Sequence, residues 1–448
     1  MEQKRLPVGI KLGFGVCDLG GNLYFTIMGF YLLYFMTDVV KLAAGLAGTA
    51  LFIGRIWDAV TDPAVGTISD HTVTRWGRRR PYMFVGAIFL FLLMIVIFIN
   101  PHFSNQGTLF LWVAVVFCLL STAYTLVNIP YGSLTPELTD DFNERTSLNG
   151  YRMSSAVVGT LLGAALVLPL AGIFANTDIG WPFMGGVMGL IMMAAALTTV
   201  FVVHEAPGPK AVTQTPVIRS YLQVLRQKPF LQALFPWTLH ITGVTVIQGA
   251  LLYYFRYVYG VEAAFQIALP ILLVSSLVFI PVWVRVSRRI GKKLSYNLGM
   301  GFFAALILLF FLFASHLGLW FAYVIMGVGG IGFATNYVMP WAILPDVVEY
   351  DYAENGARRE GVYYGMWTFM SKVGQAFAIA LNGWILSGFG YRPDTTQTPL
   401  SLLGIKLLCG PIPVIFFIAG IVVLSFYPIN QTFYDKIVAK VRTREARS

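Results

Sequence analysis

Apolar runs about as long as a bilayer is thick recur along the whole chain and constrain its fold more than any other feature. A helix of roughly 20 apolar residues crosses the hydrocarbon core, and such a segment satisfies its own backbone hydrogen bonds. Of the 448 residues, 57% are hydrophobic and 12% charged, whereas a soluble domain carries about 25% charged residues. The runs are longer than barrel strands, so we predict an all-α integral membrane protein with twelve spans. They centre near residues 12–35, 42–63, 82–100, 108–131, 153–175, 181–203, 234–258, 265–286, 294–315, 318–341, 362–389 and 405–427.

Basic residues are distributed unevenly over the connections between these spans. With the N-terminus in the cytoplasm, most of the 31 Lys and Arg residues fall on the cytoplasmic side. This positive-inside asymmetry predicts that both termini are cytoplasmic. Topology and membrane lipid therefore explain the net charge of +10, and no nucleic-acid partner is expected. We expect a multi-pass protein of a cell membrane, the bacterial inner membrane in particular.

The two halves of the chain carry similar landmarks. The basic turn at 76–80 is echoed at 288–293, and the glycines of the two turns, Gly77 and Gly291, are 214 residues apart. Repeats of this size indicate transporter folds built from two similar halves, with the substrate site at mid-membrane between them. We predict an N-terminal six-helix bundle with an ion site at 1–203, a cytoplasmic linker at 204–233, a C-terminal six-helix bundle at 234–429 and a basic cytoplasmic tail at 430–448.

Two carboxylates interrupt the second apolar run. Asp58 and Asp62 are four residues apart, so they share one helix face about one turn apart. An ionisable side chain inside a membrane costs at least about 2.5 kcal/mol, and two like charges repel unless a cation or proton lies between them. This pattern predicts a coupling-ion site. The alternative is a purely structural charge network, in which Arg55 or Lys372 satisfies the carboxylates.

Several motifs together resemble known transporters. The pattern Gly66-x-x-Ser69-Asp70 followed by the basic turn resembles the loop between the second and third helices of the major facilitator superfamily. Further segments resemble the glycoside–pentoside–hexuronide:cation symporters, the relatives of melibiose permease. These segments lie at 11–15, 34–39, 55–63, 124–134, 359–361 and 372–376. The resemblance covers essentially the whole chain and implies a twelve-helix major facilitator fold acting as a cation-coupled symporter.

The resemblance also implies which residues bind the coupling ion. Asp58 and Asp62 match the cation-binding carboxylates of that family, and Thr125 matches a nearby threonine hydroxyl. Thr61 stands where the melibiose permease pattern has asparagine, so the choice between Na⁺ and H⁺ stays open. Oxygen ligands of this kind suit Na⁺. Lys372 matches a lysine that resembles a link between the cation and sugar sites, and its expected partner is Asp58.

The expected sugar site departs from the melibiose type. Asn22 and Asn128 replace two aspartates and Gly132 replaces a tryptophan, whereas Arg152 and Lys372 are retained. This exchange of charge favours an acidic sugar, a uronide or a sulfonated sugar, over the alternative of a neutral glycoside. Asp18, one turn before Asn22, either replaces part of the missing acidity or simply caps or pairs near the helix start, and we prefer the second alternative. Gln375 and Trp341 are candidate cavity residues from the second half.

Charged residues of the cytoplasmic loops are interpreted as a gate that pairs the two halves. The candidates are Asp70, Arg78, Glu137, Arg145, Asp346 and Arg359. No cofactor is expected apart from the coupling ion, and no nucleotide-binding loop or nucleophile motif is visible, so we predict that the chain is not an enzyme. A lysolipid transporter and a non-transporting sensor on the same fold stay open as alternatives. We expect a monomer with a small-molecule substrate.

Overall fold

The computed structural model describes residues 6–72, 74–139, 142–204, 223–356 and 359–445. Its elements are helices, as the apolar runs predict. The helices of the first half are α1 Val8–Gly15, α2 Cys17–Phe30, α3 Leu32–Tyr34, α4 Ala44–His71, α5 Arg80–Ile97, α6 Gln106–Leu138, α7 Phe142–Ala171 and α8 Thr177–Val202. The helices that follow are α9 Lys228–Tyr253, α10 Phe265–Ile290, α11 Lys292–Leu317, α12 Leu319–Asn355, α13 Glu360–Gly388, α14 Pro399–Leu408, α15 Pro411–Ser425 and α16 Gln431–Glu445.

Side chains cap several of these helices where a loop enters the apolar layer. Asn105 accepts hydrogen bonds from the backbone amides of residues 107 and 108 at the start of α6. Asn176 and Thr398 accept similar bonds at the starts of α8 and α14. At the other end of α12, Gly356 takes a left-handed conformation, and its amide donates to the Tyr352 carbonyl. These caps satisfy terminal backbone groups that the helix itself leaves without a partner.

Within the described ranges, nine helical segments are long and apolar enough to cross a membrane. The bent pair Val8–Phe30 and Leu32–Val39, with an angle of 46°, would be a tenth. The two remaining predicted spans, 42–63 and 362–389, are present as the helices α4 and α13. The mean hydropathy of these two helices is lower than that of the other spans, because polar and charged residues, Asp58 and Lys372 among them, interrupt the apolar sequence. The two least apolar spans are therefore the ones that carry the predicted site charges.

The first and seventh spans end in the same unusual way. Each closes with a π-helical turn, at Phe35–Val39 and at Tyr254–Val258. Each turn follows the same tripeptide, Leu-Leu-Tyr, at 32–34 and 251–253. The repetition of this feature at matching places supports the internal repeat that the basic turns predicted.

The chain forms two compact units. The first contains Met1–Lys210 together with Ile379–Gln397, and the second contains Ala211–Ala378 together with Thr398–Ser448. The end of α13 and the loop after it thus belong with the first half, which the sequence did not predict. The helix α9 begins at Lys228, inside the predicted linker, and the helix α16 occupies most of the predicted tail.

A cluster of buried side chains holds the first unit together. It draws on α1, α2, α5, α6, α7 and α8, so these helices enclose one core. Small residues and van der Waals contact stabilise such packing inside a membrane. The members include Phe14, Cys17, Met83, Ala87, Val127, Tyr131, Leu134, Leu148, Ala196 and Val200.

Candidate functional site

The predicted ion-binding carboxylates converge on one hydroxyl. Oγ1 of Thr125, on α6, lies 2.9 Å from Oδ1 of Asp58 and 3.1 Å from Oδ1 of Asp62, both on α4. Asp58 is 1% exposed and Thr125 is fully buried. A hydroxyl carries a single proton and can donate to only one carboxylate at a time. The arrangement therefore gathers several oxygen ligands around a position where a small cation or a proton is favourable.

A second contact fixes α4 against α6 beside this site. Nε1 of Trp57 donates to Oγ1 of Thr122 over 2.9 Å. Trp57 directly precedes Asp58, and Thr122 lies about one helical turn before Thr125. The bond therefore sets the register of the two helices where the carboxylates meet the hydroxyl.

Arg55 supplies one buried positive charge next to the carboxylates. It is 3% exposed and precedes Asp58 by about one turn of α4. Its guanidinium lies over the rings of Phe25 and Phe117, with ring centroids 5.6 and 5.9 Å away. A cation over an aromatic face is stabilised by the ring quadrupole. This stretch of α4 thus carries two carboxylates and one guanidinium within about two helical turns.

The predicted ligand Thr61 is oriented towards the backbone. Its hydroxyl donates to the main-chain oxygen of Asp58 over 3.2 Å. This is the local bond that Thr commonly makes to a preceding turn of its own helix. Its role as an ion ligand stays a prediction that rests on the remaining lone pair of the oxygen.

A pair of buried tyrosines lies next to the ion site. The rings of Tyr24 and Tyr124 stack at a centroid distance of 4.3 Å and an interplanar angle of 8°. Tyr124 directly precedes Thr125, and its side chain lies within Coulombic range of Asp58, Asp62 and Asp18. The stack is therefore close to both groups of charged residues in the first unit.

The second charged group of the first unit is an ion pair between Arg152 and Asp18. Nε of Arg152, on α7, lies 2.5 Å from Oδ2 of Asp18, on α2. The Tyr131 hydroxyl donates to the same oxygen over 2.7 Å, and the guanidinium lies 5.0 Å from the Tyr131 ring centroid. Asp18 is therefore paired with Arg152, one of the predicted substrate residues, and its role towards a substrate stays a prediction.

Close backbone packing explains how Asp18 reaches Arg152. A Cβ on Gly15 would come 2.9 Å from the carbonyl carbon of Tyr151, and one on Gly159 would clash with the carbonyl oxygen of Leu19. Only glycine permits the end of α1 and the start of α2 to approach the middle of α7 this closely.

The two predicted asparagines have different surroundings. Nδ2 of Asn22 donates to the main-chain oxygen of Asp18 over 2.9 Å. Asn128 lines a small cavity of the first unit together with Tyr124 and Tyr131. Gly132, at the position where the resemblance predicts a tryptophan, has no heavy atom within 4 Å of a built Cβ. A Cβ at this position would therefore meet open space.

The predicted residues of the second half lie in the second unit. Lys372 is 7% exposed and Gln375 is half-buried. The pair between Asp58 and Lys372 stays a prediction. Trp341 is 44% exposed and its ring packs 6.2 Å from Trp237, which in turn stacks on Trp367.

Two of the predicted gate residues have partners within their own units. Asp70 accepts from Nη2 of Arg79 over 2.9 Å, and Arg79 also donates to the main-chain oxygen of Ser133 on α6. In the second unit, Nζ of Lys292 lies 2.7 Å from Asp346. Sequence reasoning expected partners in the opposite half. The structure gives both carboxylates a cation from the basic turn of their own unit, and pairing with the opposite half stays a prediction.

Arg359 likewise contacts neighbours in the second unit. Its Nε lies 3.4 Å from Oδ2 of Asp351, and its Nη1 donates to Gln223 over 2.8 Å. The side chains of Glu137 and Arg145 lie outside the described part of the chain. A gating role for Arg78 stays a prediction.

A further acidic residue near the end of α12 contacts the C-terminal helix. Glu349 accepts a hydrogen bond from the Tyr434 hydroxyl of α16 over 2.6 Å. Burial, together with this bond to a carboxylate, raises the pKa of the Tyr434 phenol. The phenol therefore keeps its proton at neutral pH and fastens α16 to α12.

Sequence reasoning missed two features of these sites. Tyr124 and Tyr131 fall at helical spacing from Asn128, so their shared face was visible in the sequence. The tryptophan cluster of the second unit unites three helices and could not be found from local spacing. In a chain with 15% aromatic residues, ring content alone does not separate site residues from packing residues.

Comparison with known proteins agrees with this architecture. A family model described as MFS/sugar transport protein matches residues 13–431. A protein named uncharacterized symporter YnaJ, from Bacillus subtilis (strain 168), is 31% identical over 99% of this chain and 96% of its own length. The glucuronide carrier protein homolog of Escherichia coli (strain K12) is 27% identical over 98% of this chain and 96% of its own length.

Solved structures show the same fold. The crystal structure of the nucleoside transporter NupG superposes with a TM-score of 0.65 at 13% identity, and the match covers 94% of this chain and 99% of that one. These findings indicate a multi-pass membrane transport protein and not an enzyme. The chain belongs to the MFS/sugar transport protein family of the major facilitator superfamily.

Proposed function

We propose that this protein is a cation-coupled symporter of a sugar or glycoside that works by alternating access. The observation that carries the proposal is the convergence of Asp58, Asp62 and Thr125 in the buried part of the first unit. Charged groups inside a membrane are rare and mark ion pathways. Carboxylate and hydroxyl oxygens gathered this closely suit the binding of a small cation.

The coupling ion is Na⁺ or H⁺. Carboxylate and hydroxyl oxygens are hard ligands that suit Na⁺. The same carboxylates can share a proton, because two like charges at short distance raise the proton affinity of one of them. A membrane potential of 100 mV supplies about 2.3 kcal/mol for each charge moved, which is enough for accumulation of roughly fifty-fold.

The ion pair of the first unit bears on the charge of the substrate. The prediction of an acidic sugar relied on the replacement of two aspartates by Asn22 and Asn128, with Arg152 and Lys372 retained. Asp18, at 2.5 Å, offsets the charge of Arg152. An acidic sugar would have to displace Asp18, whereas the hydroxyls of a neutral sugar could bind to both members of the pair. The pair therefore favours a neutral glycoside and leaves an acidic sugar as the second candidate.

Uptake into proteoliposomes tests the proposal. A uronide, a sulfonated sugar, a neutral glycoside and a lysolipid are each offered with an imposed Na⁺ or H⁺ gradient. We expect one sugar to accumulate with one gradient, and Asp58→Asn to abolish accumulation. Asp178→Asn, a half-exposed carboxylate beside His102, is the matched control and should behave like the wild type. If uptake is independent of both gradients, or persists in Asp58→Asn, the protein transports by facilitated diffusion and the proposal of ion coupling is wrong.

Asp18→Asn separates the two substrate classes. The substitution keeps the size of the side chain and releases the charge of Arg152. A neutral substrate should lose affinity, because an acceptor and its oriented guanidinium are both disturbed. An acidic substrate should bind as well as before or better. Binding of both substrate classes unchanged by Asp18→Asn would show that the pair lies away from the sugar.

A further inference from the structure

A buried hydrogen bond ties the loop after α13 to the first span. The hydroxyl of Tyr391 donates to Oδ2 of Asp38 over 2.6 Å, and the hydroxyl of Thr37 donates to the same oxygen over 2.7 Å. Asp38 is 3% exposed and Tyr391 is 7% exposed. Asp38 lies in the π-helical turn Phe35–Val39, and such turns are frequent at functional sites.

An ion pair lies beside this bond, and both of its members have unusual backbones. Lys41 and Asp394 form the pair, with φ angles of 64° and 55°. Left-handed conformations are uncommon for residues with a Cβ and persist only where the surroundings hold them. The side chain of Gln106 holds the backbone around Lys41, because it donates to the Lys41 carbonyl over 3.0 Å and accepts from the Ala43 amide over 2.8 Å.

The helices next to these contacts pack backbone to backbone. A Cβ on Gly383 of α13 would come 2.7 Å from Cα of Gly48 on α4. At the next residue of each helix, Nε1 of Trp384 donates to Oγ1 of Thr49 over 3.0 Å. About one turn away, a Cβ on Gly45 would lie 3.3 Å from Cβ of Ser387. The end of α13 and the loop after it therefore contact the first half along their length.

The matching turn of the second half carries a local ion pair. Arg256, in the turn Tyr254–Val258, pairs with Glu262 over 3.0 Å. These two residues are six positions apart, whereas Tyr391 and Asp38 are 353 positions apart. The internal repeat has thus produced two similar turns, and the first of them holds a segment from the other half of the chain.

We propose that the segment from Trp384 to Asp394 is an outer latch, with the bond from Tyr391 to Asp38 as its main fastening. The charge distribution places these residues on the side opposite the basic turns, which is the outer side. Alternating access requires helices of the second half to move against the first half on that side. The latch must open in each cycle for the substrate to enter from outside. This inference rests on the proposed transport function, although not on the identity of the ion.

A disulfide across the latch tests whether it has to open. Gly45→Cys and Ser387→Cys are combined in a background that carries Cys17→Ala, Cys118→Ala and Cys409→Ala. The separation of 3.3 Å is close to the Cβ–Cβ distance of about 3.8 Å in disulfides. We expect oxidation to form the disulfide and to lower uptake at least roughly tenfold, and reduction to restore it. If uptake continues with the disulfide fully formed, the proposal that the latch must open is wrong. If the two cysteines stay reduced under oxidant, the proposed contact between residues 45 and 387 is wrong.

Single-cysteine variants separate this test from the test of function. The background variant, Gly45→Cys alone and Ser387→Cys alone should all transport with and without oxidant. If the wild type and the background variant are both folded and neither transports a sugar, the proposed function fails and the latch is not the cause.

Tyr391→Phe tests the fastening itself. The variant keeps the ring and removes the hydroxyl that donates to Asp38. In the double-cysteine background, disulfide formation should slow roughly three- to tenfold, the effect of one lost hydrogen bond. Tyr259→Phe is the matched control, because the Tyr259 hydroxyl has no hydrogen-bond partner among the described residues. Equal rates of disulfide formation in wild-type, Tyr391→Phe and Tyr259→Phe proteins would show that the Tyr391 bond does not hold the latch.

Discussion

The backbone of Gly54 lies directly against the ring of Phe117, so that a Cβ at residue 54 would come 2.8 Å from Cε1 of the ring and closer still to Cδ1. Gly54 is one turn before Asp58 on α4, and Phe117 is two turns before Thr125 on α6. The ring also lies under the guanidinium of Arg55. This one contact therefore sets the distance between the two helices that bring the carboxylates to the hydroxyl.

Gly54→Ala is expected to weaken ion binding, although residue 54 itself carries no side chain that could bind an ion. The added methyl group must push α4 away from α6, and overpacking of this kind costs about 1–3 kcal/mol. The measurement is the increase in melting temperature on addition of the coupling ion, which should shrink in the variant. Gly150→Ala, on α7 with open space around its Cα, should leave it unchanged. A full ion-dependent stabilisation in Gly54→Ala would show that α4 can shift without disturbing the site.

Thr125→Val is expected to lower the affinity for the coupling ion by roughly ten- to a hundredfold. The substitution keeps the shape and removes a hydroxyl that meets two carboxylates, and hydrogen bonds to charged groups contribute about 1.5–3 kcal/mol. Thr125→Ser should restore most of the affinity. Ion titration of substrate binding provides the measurement. Thr160→Val, which removes a hydroxyl that donates to the Ala156 carbonyl of its own helix, is the control. Wild-type ion affinity in the Thr125→Val protein would show that the Thr125 hydroxyl does not take part in ion binding.

The sequence was sufficient for features that depend on neighbours along one helix. Asp58 and Asp62 share a face because they are four residues apart, and the apolar runs around them predict helices where the structure has them. The basic turns at 76–80 and 288–293 showed the repeat, and the contacts of Arg79 and Lys292 with main-chain carbonyls of α6 and α12 repeat it in three dimensions.

Features that depend on helix packing could not be predicted. The bond between Asp18 and Arg152 joins residues 134 positions apart and exists because Gly15 and Gly159 let two backbones approach. The union of Ile379–Gln397 with the first unit crosses the boundary that the repeat suggests. In both cases the deciding term is a close contact between distant segments, which leaves no periodic signal in the sequence.

Lys292→Gln is expected to destabilise the second unit by about 1–3 kcal/mol. The substitution leaves the Asp346 carboxylate, whose side chain is 10% exposed, without its cation, and an unsatisfied buried group costs this much. Lys440→Gln removes a cation from an exposed pair with Glu354 and should cost less than about 1 kcal/mol. Thermal unfolding in detergent compares the two variants. Equal melting temperatures would mean that Asp346 finds another partner or binds water.

Trp341→Ala is expected to weaken sugar binding, whereas Trp341→Phe should keep most of it. The Trp341 ring is 44% exposed while its neighbours Trp237 and Trp367 are buried, so the cluster holds one aromatic face available for an apolar sugar face. Aromatic contacts contribute about 0.5–1.5 kcal/mol, which predicts a three- to tenfold rise in the Kd of the transported sugar. Trp320→Ala, on the same helix with 61% exposure, is the control for loss of a tryptophan at the surface. Binding measured by calorimetry at a saturating ion concentration decides the matter. If the Kd changes equally in both alanine variants, Trp341 acts through packing or at the lipid surface. A residue that contacts the sugar should raise the Kd when it is removed, whereas Trp320 should not.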